Sequence, residues 1–94
     1  MNVSFTLQAV SDLLAIQDYI ATQNERAAER VVSRIRQAIQ MFERFPFLGR
    51  EGLVDGTREF AIPGLSYVVV YRIASETDID ILTIIHDRQQ WPPL

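Results

Sequence analysis

Cysteine is absent from the 94 residues, which excludes disulfide bonds, thiolate nucleophiles and cysteine-based metal sites. Histidine occurs once, as His86, and the scattered carboxylates have no metal-ligand spacing, so neither a metal nor another cofactor is expected. No apolar run approaches the roughly 18 residues of a membrane span. The first residues also lack the basic flank and apolar stretch of a signal peptide. These absences favour a cytoplasmic protein.

Lysine is missing as well, so all nine basic residues are arginine, against twelve acidic residues and a net charge of −3. A protein that binds nucleic acid through its phosphates usually carries a dense basic face. The acidic balance argues against such a face and against direct sequence-specific nucleic-acid binding. It leaves room for a local arginine site.

The length of the chain favours one domain, residues 1–94, around a single core. Alternating polar and apolar residues predict a short strand over 2–6. From Leu7 the apolar residues return every three or four positions, which predicts an amphipathic helix to about Thr22 with Thr6 as its N-cap.

A second helix, over residues 25–45, has the clearest pattern in the sequence. Asn24 is its expected N-cap and Pro46 its terminator, and Arg26 is expected to pair with Glu29 on its surface. The short link between the helices predicts a helical hairpin. The apolar stripe of the second helix should face the strand predicted over 65–73; it consists of Ala28, Val31, Val32, Ile35, Ala38, Ile39 and Phe42.

Three strands are predicted in the second half of the chain, over 57–62, 65–73 and 79–86, joined by short turns that make neighbours antiparallel. The expected fold is therefore α+β, in the order β-α-α-β-β-β, with the N-terminal strand and the helical hairpin packed on an antiparallel sheet. Tyr67 and Tyr71 should point to the same side of their strand, into the core. Arg72 should pair with Glu59 or Asp80 on an adjacent strand.

Few residues offer chemistry. A Ser66–His86–Asp87 triad is disfavoured because neighbouring strand residues point to opposite faces, so Asp87 would not orient His86. A histidine at a strand end is a possible general acid or base, but hydrogen bonding to the backbone is the more common role. Trp91, followed by two prolines, more often anchors a chain end than stacks on a base. From the residues alone, the chain is a binding module or an enzyme with a weak signal.

Four landmarks follow one another along the chain: Pro-x-x-Gly-Arg at 46–50, Gly-Thr-Arg-Glu at 56–59, Tyr-x-x-x-Tyr-Arg at 67–72 and His-x-Arg-x-x-Trp-Pro at 86–92. Together, over essentially the whole length, they resemble the ParE branch of the RelE/ParE superfamily of toxins from bacterial type II toxin–antitoxin pairs. The resemblance implies a cognate ParD-like antitoxin as partner.

The branch decides the expected mechanism. RelE-like relatives cut messenger RNA on the ribosome with a basic cluster and often a terminal tyrosine. Here the matching positions hold Glu59, Ala61 and Val68, the chain ends at Leu94, and only Arg88 supplies an expected basic residue. The resemblance therefore favours a non-enzymatic inhibitor of DNA gyrase, with ribosome-dependent messenger cleavage as the alternative.

Site residues follow from these landmarks. The candidates for contact with the target are Arg50, Arg58, His86, Arg88, Gln89 and Trp91. The candidates for contact with the antitoxin are Arg58, Tyr71 and Arg72. A nuclease would use His86 and Arg88, and a gyrase inhibitor would have no catalytic residue.

Overall fold

Two helices and five strands make up the structure, a computed structural model that describes residues 1–93. In chain order the elements are β1 (Asn2–Phe5), α1 (Leu7–Ala21), α2 (Glu25–Met41), β2 (Arg50–Glu51), β3 (Thr57–Ala61), β4 (Tyr67–Ile73) and β5 (Asp78–His86). The strands form one sheet in the order β1-β5-β4-β3-β2. The predicted α+β fold is confirmed, and the two-residue strand β2 is an addition to it.

Both predicted helix caps are formed. The Thr6 hydroxyl accepts a hydrogen bond from the Ala9 amide, and the Asn24 side chain accepts one from the Ala27 amide, each at 3.1 Å. These bonds satisfy amides that the first turn of a helix leaves without partners. Helix α2 ends at Met41, and turns connect it to Pro46. Neither helix within residues 1–93 is long and apolar enough to cross a membrane.

The core lies between α2 and the sheet, as the apolar stripe predicts. Phe42 stacks on Tyr71 of β4 with ring centroids 4.1 Å apart and meets the edge of Phe60 at 5.8 Å. Ile35 is fully buried in the same cluster. The expected surface pairing of Arg26 with Glu29 is not formed; the ion pairs found within residues 1–93 are Arg50–Glu59, Arg72–Asp80 and His86–Asp87.

The sheet is mixed, because β1 pairs with β5 in parallel while β2–β3, β3–β4 and β4–β5 are antiparallel. Strand β1 has four residues and reaches only to the level of Ile81, whereas β5 continues to His86. The last residues of β5 therefore need another partner at this edge.

Two side chains supply that partner, those of the N-cap residue Thr6 and of Asp12 in α1. The Thr6 hydroxyl donates to the Leu82 carbonyl at 2.8 Å. The Asp12 carboxylate accepts the Ile84 amide at 3.0 Å and also the Thr83 hydroxyl. Side chains from the start of α1 thus take the place of strand hydrogen bonds where β1 has ended.

Candidate functional site

One face of the sheet points away from the helices and collects Glu59, Ala61 and Val68, the positions that the resemblance matches to the basic cluster of RelE-like toxins. Tyr71 and Val69 point toward the helices, so residues at alternate positions point away. Cross-strand partners share a face. By this register the outer face includes Arg50, Thr57, Glu59, Ala61, Val68, Val70, Arg72, Asp80 and Ile85.

Charges on the outer face are paired. Arg72 contacts Asp80 at 3.0 Å, so the sequence prediction is confirmed for the second of its two alternatives. Glu59 contacts Arg50 of β2 at 3.2 Å instead. The Arg50 and Arg72 side chains are 80% and 55% exposed. Because exposed ion pairs contribute only about 0–1 kcal/mol, Arg72 can exchange its carboxylate for that of a partner at little cost. Glu59 is only 11% exposed, so it would be left as a largely buried carboxylate if Arg50 moved away.

Tyr71, a candidate for antitoxin contact, is fully buried, so its side chain has no surface to offer a partner. Its hydroxyl donates to the Pro46 carbonyl and accepts the Gly49 amide, each at 2.8 Å. A Cβ atom at Gly49 would lie 2.8 Å from the Tyr71 ring, which explains the glycine. Burial raises the pKa of Tyr71 above its ordinary value. Tyr71 therefore positions the loop that follows α2.

Arg58 fixes the same loop from its other side. Its guanidinium donates to the Gly49 carbonyl at 2.6 Å and lies 4.8 Å from the ring centroid of Phe47. Because Arg58 is half-buried and makes these two contacts, its side chain has less conformational freedom than that of an exposed arginine. Phe47 itself is 69% exposed, so the loop displays an aromatic ring held by a cation.

Apolar exposure on this loop is a feature that sequence reasoning missed. Phe45, Phe47, Leu48, Leu53 and Val54 are all exposed within ten residues. Clustered apolar residues on a surface mark interaction sites more often than isolated ones do. The available signal was four large apolar residues, soon after Phe45, in a segment whose proline and glycines indicated a loop, where polar residues are the norm.

His86 ends strand β5, packed edge-on against Tyr67 at 5.6 Å. Its Nδ1 atom accepts the Arg88 amide at 3.1 Å and also lies 3.1 Å from an Asp87 carboxylate oxygen. The first contact needs Nδ1 without a proton and the second needs it protonated, so the two exclude each other. The argument that Asp87 would not reach His86 is wrong, because Asp87 already lies in the turn after the strand. Ser66 meets this turn through its carbonyl, which accepts the Asp87 amide at 2.8 Å.

The residues after His86 form a tail, 87–93, held by its own turn. The Gln89 side-chain oxygen accepts the His86 amide at 2.7 Å, so this candidate contact residue also closes the strand end. Trp91 is half-buried and, with Asp12 and Ile85 among others, lines a cleft of about 390 Å³. Arg88 is exposed and has no ion-pair partner within residues 1–93. The tail is thus anchored at both ends and displays Arg88.

The family profile described as "ParE toxin of type II toxin-antitoxin system, parDE" matches residues 3–91 of this sequence. The chain belongs to the ParE toxin family. It is 39% identical over 91 residues to Y4kP of Sinorhizobium fredii, which is named as a toxin, covering 97% of this chain and 93% of that one. It is 33% identical over 73 residues to toxin RelE2 of Caulobacter vibrioides, covering 78% and 81%.

A solved structure gives the same result for the fold. The chromosomal ParDE toxin–antitoxin system from P. aeruginosa contains a chain that superposes with a TM-score of 0.79 at 25% identity, covering 92% of this chain and 95% of that one. This ParE-family protein is therefore a toxin of the type II toxin–antitoxin class.

Within its described residues, no group of three or more histidine or acidic side chains is gathered that could hold a metal ion.

Proposed function

We propose that this ParE-family toxin inhibits DNA gyrase by binding it, without chemistry of its own, and is neutralised by a ParD-like antitoxin. The outer face of the sheet carries the proposal. At the positions that hold basic residues in RelE-like nucleases it presents Glu59, Ala61 and Val68, with Ala61 directly opposite Val68. Its two arginines, Arg50 and Arg72, each contact a carboxylate of a neighbouring strand.

Cleavage of RNA at a 2′-hydroxyl needs a base, an acid and cationic stabilisation of the pentacoordinate phosphate. The outer face offers a paired acid and apolar side chains where these groups would act. A protein inhibitor needs instead a shaped surface with a few anchors. The exposed ring of Phe47 on its loop and Arg88 on its tail are suitable anchors.

One observation favours the alternative, a RelE-type messenger nuclease. His86 is 40% exposed at its side chain and lies next to Arg88, so a base and a cation share one turn. However, the Nδ1 atom of His86 already accepts a backbone amide, and the arginines of the outer face, Arg50 and Arg72, are paired with carboxylates. Two groups on one turn supply less than the cluster that phosphate cleavage requires.

The deciding experiment expresses the toxin without antitoxin and reads DNA breaks and messenger cleavage separately. We expect purified toxin to inhibit gyrase supercoiling or accumulate cleaved DNA complexes, while ribosome-bound messenger stays intact. Arg88→Ala should weaken the gyrase effect without unfolding the domain, and Arg36→Ala, an exposed arginine on α2, is the matched control. His86→Ala should cost no more than about 1–2 kcal/mol of hydrogen bonding.

A general base would behave differently, because its removal lowers a rate by about 100-fold or more. Messenger cleavage that disappears in His86→Ala or Arg88→Ala, with gyrase unaffected, would establish the nuclease instead.

A further inference from the structure

A groove runs between the first half of α2 and the turn that joins β3 to β4. One wall is the helix surface from Arg26 to Arg34, and the other is Leu65 after the turn. The groove has a volume of about 750 Å³, enough for several side chains of a bound segment. Val31 and Leu65, both half-buried, form an apolar floor.

Three arginines at four-residue intervals form the rim of this groove: Arg26, Arg30 and Arg34. Residues four apart lie one above another on a helix, so their charges form a single row. Arg26 and Arg30 are exposed and have no acidic partner within residues 1–93. The row is a local concentration of positive charge on a chain whose net charge is −3.

Arg34 is fixed in place by the opposite wall. Its guanidinium donates to the carbonyl of Pro63, which begins the β3–β4 turn. This bond ties the helix to the turn and keeps the two walls together. The hydrogen bond of Arg34 therefore fixes the shape of the groove, and the other two arginines of the rim, Arg26 and Arg30, stay available to a ligand.

We propose that this groove holds an acidic segment of the antitoxin, with carboxylates on Arg26 and Arg30 and one apolar side chain between Val31 and Leu65. The inference rests on the proposed function in one respect, that such an antitoxin exists. The planar guanidinium group matches a carboxylate through two parallel hydrogen bonds. A charged rim around an apolar floor is the usual arrangement of a protein–protein contact.

Nucleic acid fits the groove less well. Glu29 lines it and would repel phosphates, whereas a peptide can place a donor or an apolar group there. Among residues 1–93, those that line the groove include no aromatic side chain on which bases could stack. The overall negative charge of the chain also opposes a polyanion at long range.

The test uses the toxin co-expressed with the product of the gene adjacent to its own. The double variant Arg26→Glu/Arg30→Glu reverses the charge of the two rim arginines that have no acidic partner within residues 1–93. The control variant, Arg36→Glu/Arg44→Glu, makes the same change in charge elsewhere on the surface. Dissociation constants are measured by surface plasmon resonance at low and high salt, and circular dichroism verifies folding. We expect the first variant to bind about 100-fold more weakly at low salt, because charge pairs at an interface contribute several kcal/mol.

Leu65→Ala tests the apolar floor separately and should weaken binding by about tenfold. The control variant should change affinity by less than about threefold, as expected of charges outside a contact. Together these results would establish the groove as part of the antitoxin interface.

Other outcomes overturn the assignment in distinguishable ways. If the unaltered toxin forms no complex, the proposed partner fails and the groove assignment with it. If the complex forms and Arg26→Glu/Arg30→Glu binds as tightly as the unaltered chain, the antitoxin stands and the groove assignment fails. If the free toxin instead binds a DNA duplex, or dimerises, and the double variant abolishes this, the groove serves nucleic acid or a second copy.

Discussion

At the scale of single residues, the Tyr71 hydroxyl connects the sheet to the loop that displays Phe47. Tyr71→Phe keeps the ring that stacks on Phe42 but leaves the Gly49 amide and the Pro46 carbonyl without their partner. Because these groups are shielded from water, we expect a loss of about 1–3 kcal/mol in the free energy of unfolding, measured by urea denaturation.

Tyr67→Phe is the matched control for this prediction. Tyr67 lies on the same face of β4, and its hydroxyl makes no hydrogen bond within the described residues. Its removal should change the free energy of unfolding by less than about 0.5 kcal/mol. Equal losses in both variants would show that the loop does not depend on the Tyr71 hydroxyl.

At the scale of elements, α1 completes the edge of β5 that the short strand β1 leaves open. Asp12→Ala removes the acceptor of the Ile84 amide and the Thr83 hydroxyl. We expect a loss of about 1–3 kcal/mol in stability and faster hydrogen exchange of the Ile84 amide, measured by NMR. Asp18→Ala, an exposed aspartate on the same helix, should change neither.

The local exchange measurement distinguishes this role from a general loss of helix stability. If the Ile84 amide stays protected in Asp12→Ala while stability falls, the carboxylate acts through α1 itself. That result would contradict the view of α1 as a substitute for strand pairing.

At the scale of the whole molecule, the hairpin and the sheet share one core, so a cavity in it should weaken the entire domain. Ile35 is fully buried on the α2 stripe. Ile35→Ala should cost about 2–5 kcal/mol and lower Tm by at least about 8 °C in a single transition, measured by calorimetry. Leu14→Ala, at a residue 55% exposed on α1, should cost less than about 1 kcal/mol.

A loss below about 0.5 kcal/mol in Ile35→Ala would mean that α2 is oriented differently on the sheet. Two separate transitions would mean that the hairpin and the sheet do not form one cooperative unit.

The sequence by itself determined the features whose causes are local. Thr6 and Asn24 cap helices through amides three residues away, and the apolar stripe of α2 identifies the face that α2 buries. Short turns made β3, β4 and β5 neighbours, which brought Arg72 within reach of Asp80. The order of landmarks along the chain was enough to predict the toxin family.

Only the tertiary structure decided the contacts that join distant parts of the chain. Three such contacts depend on how whole elements pack: the parallel pairing of β1 with β5, the hydrogen bond that Asp12 accepts from the Ile84 amide, and the anchoring of the loop at Gly49 by the Tyr71 hydroxyl. The same holds for the groove that Arg34 closes by binding Pro63. The physical reason is that caps and periodicity act within a few residues, whereas edge pairing and loop anchoring are selected by the free energy of packing the complete chain.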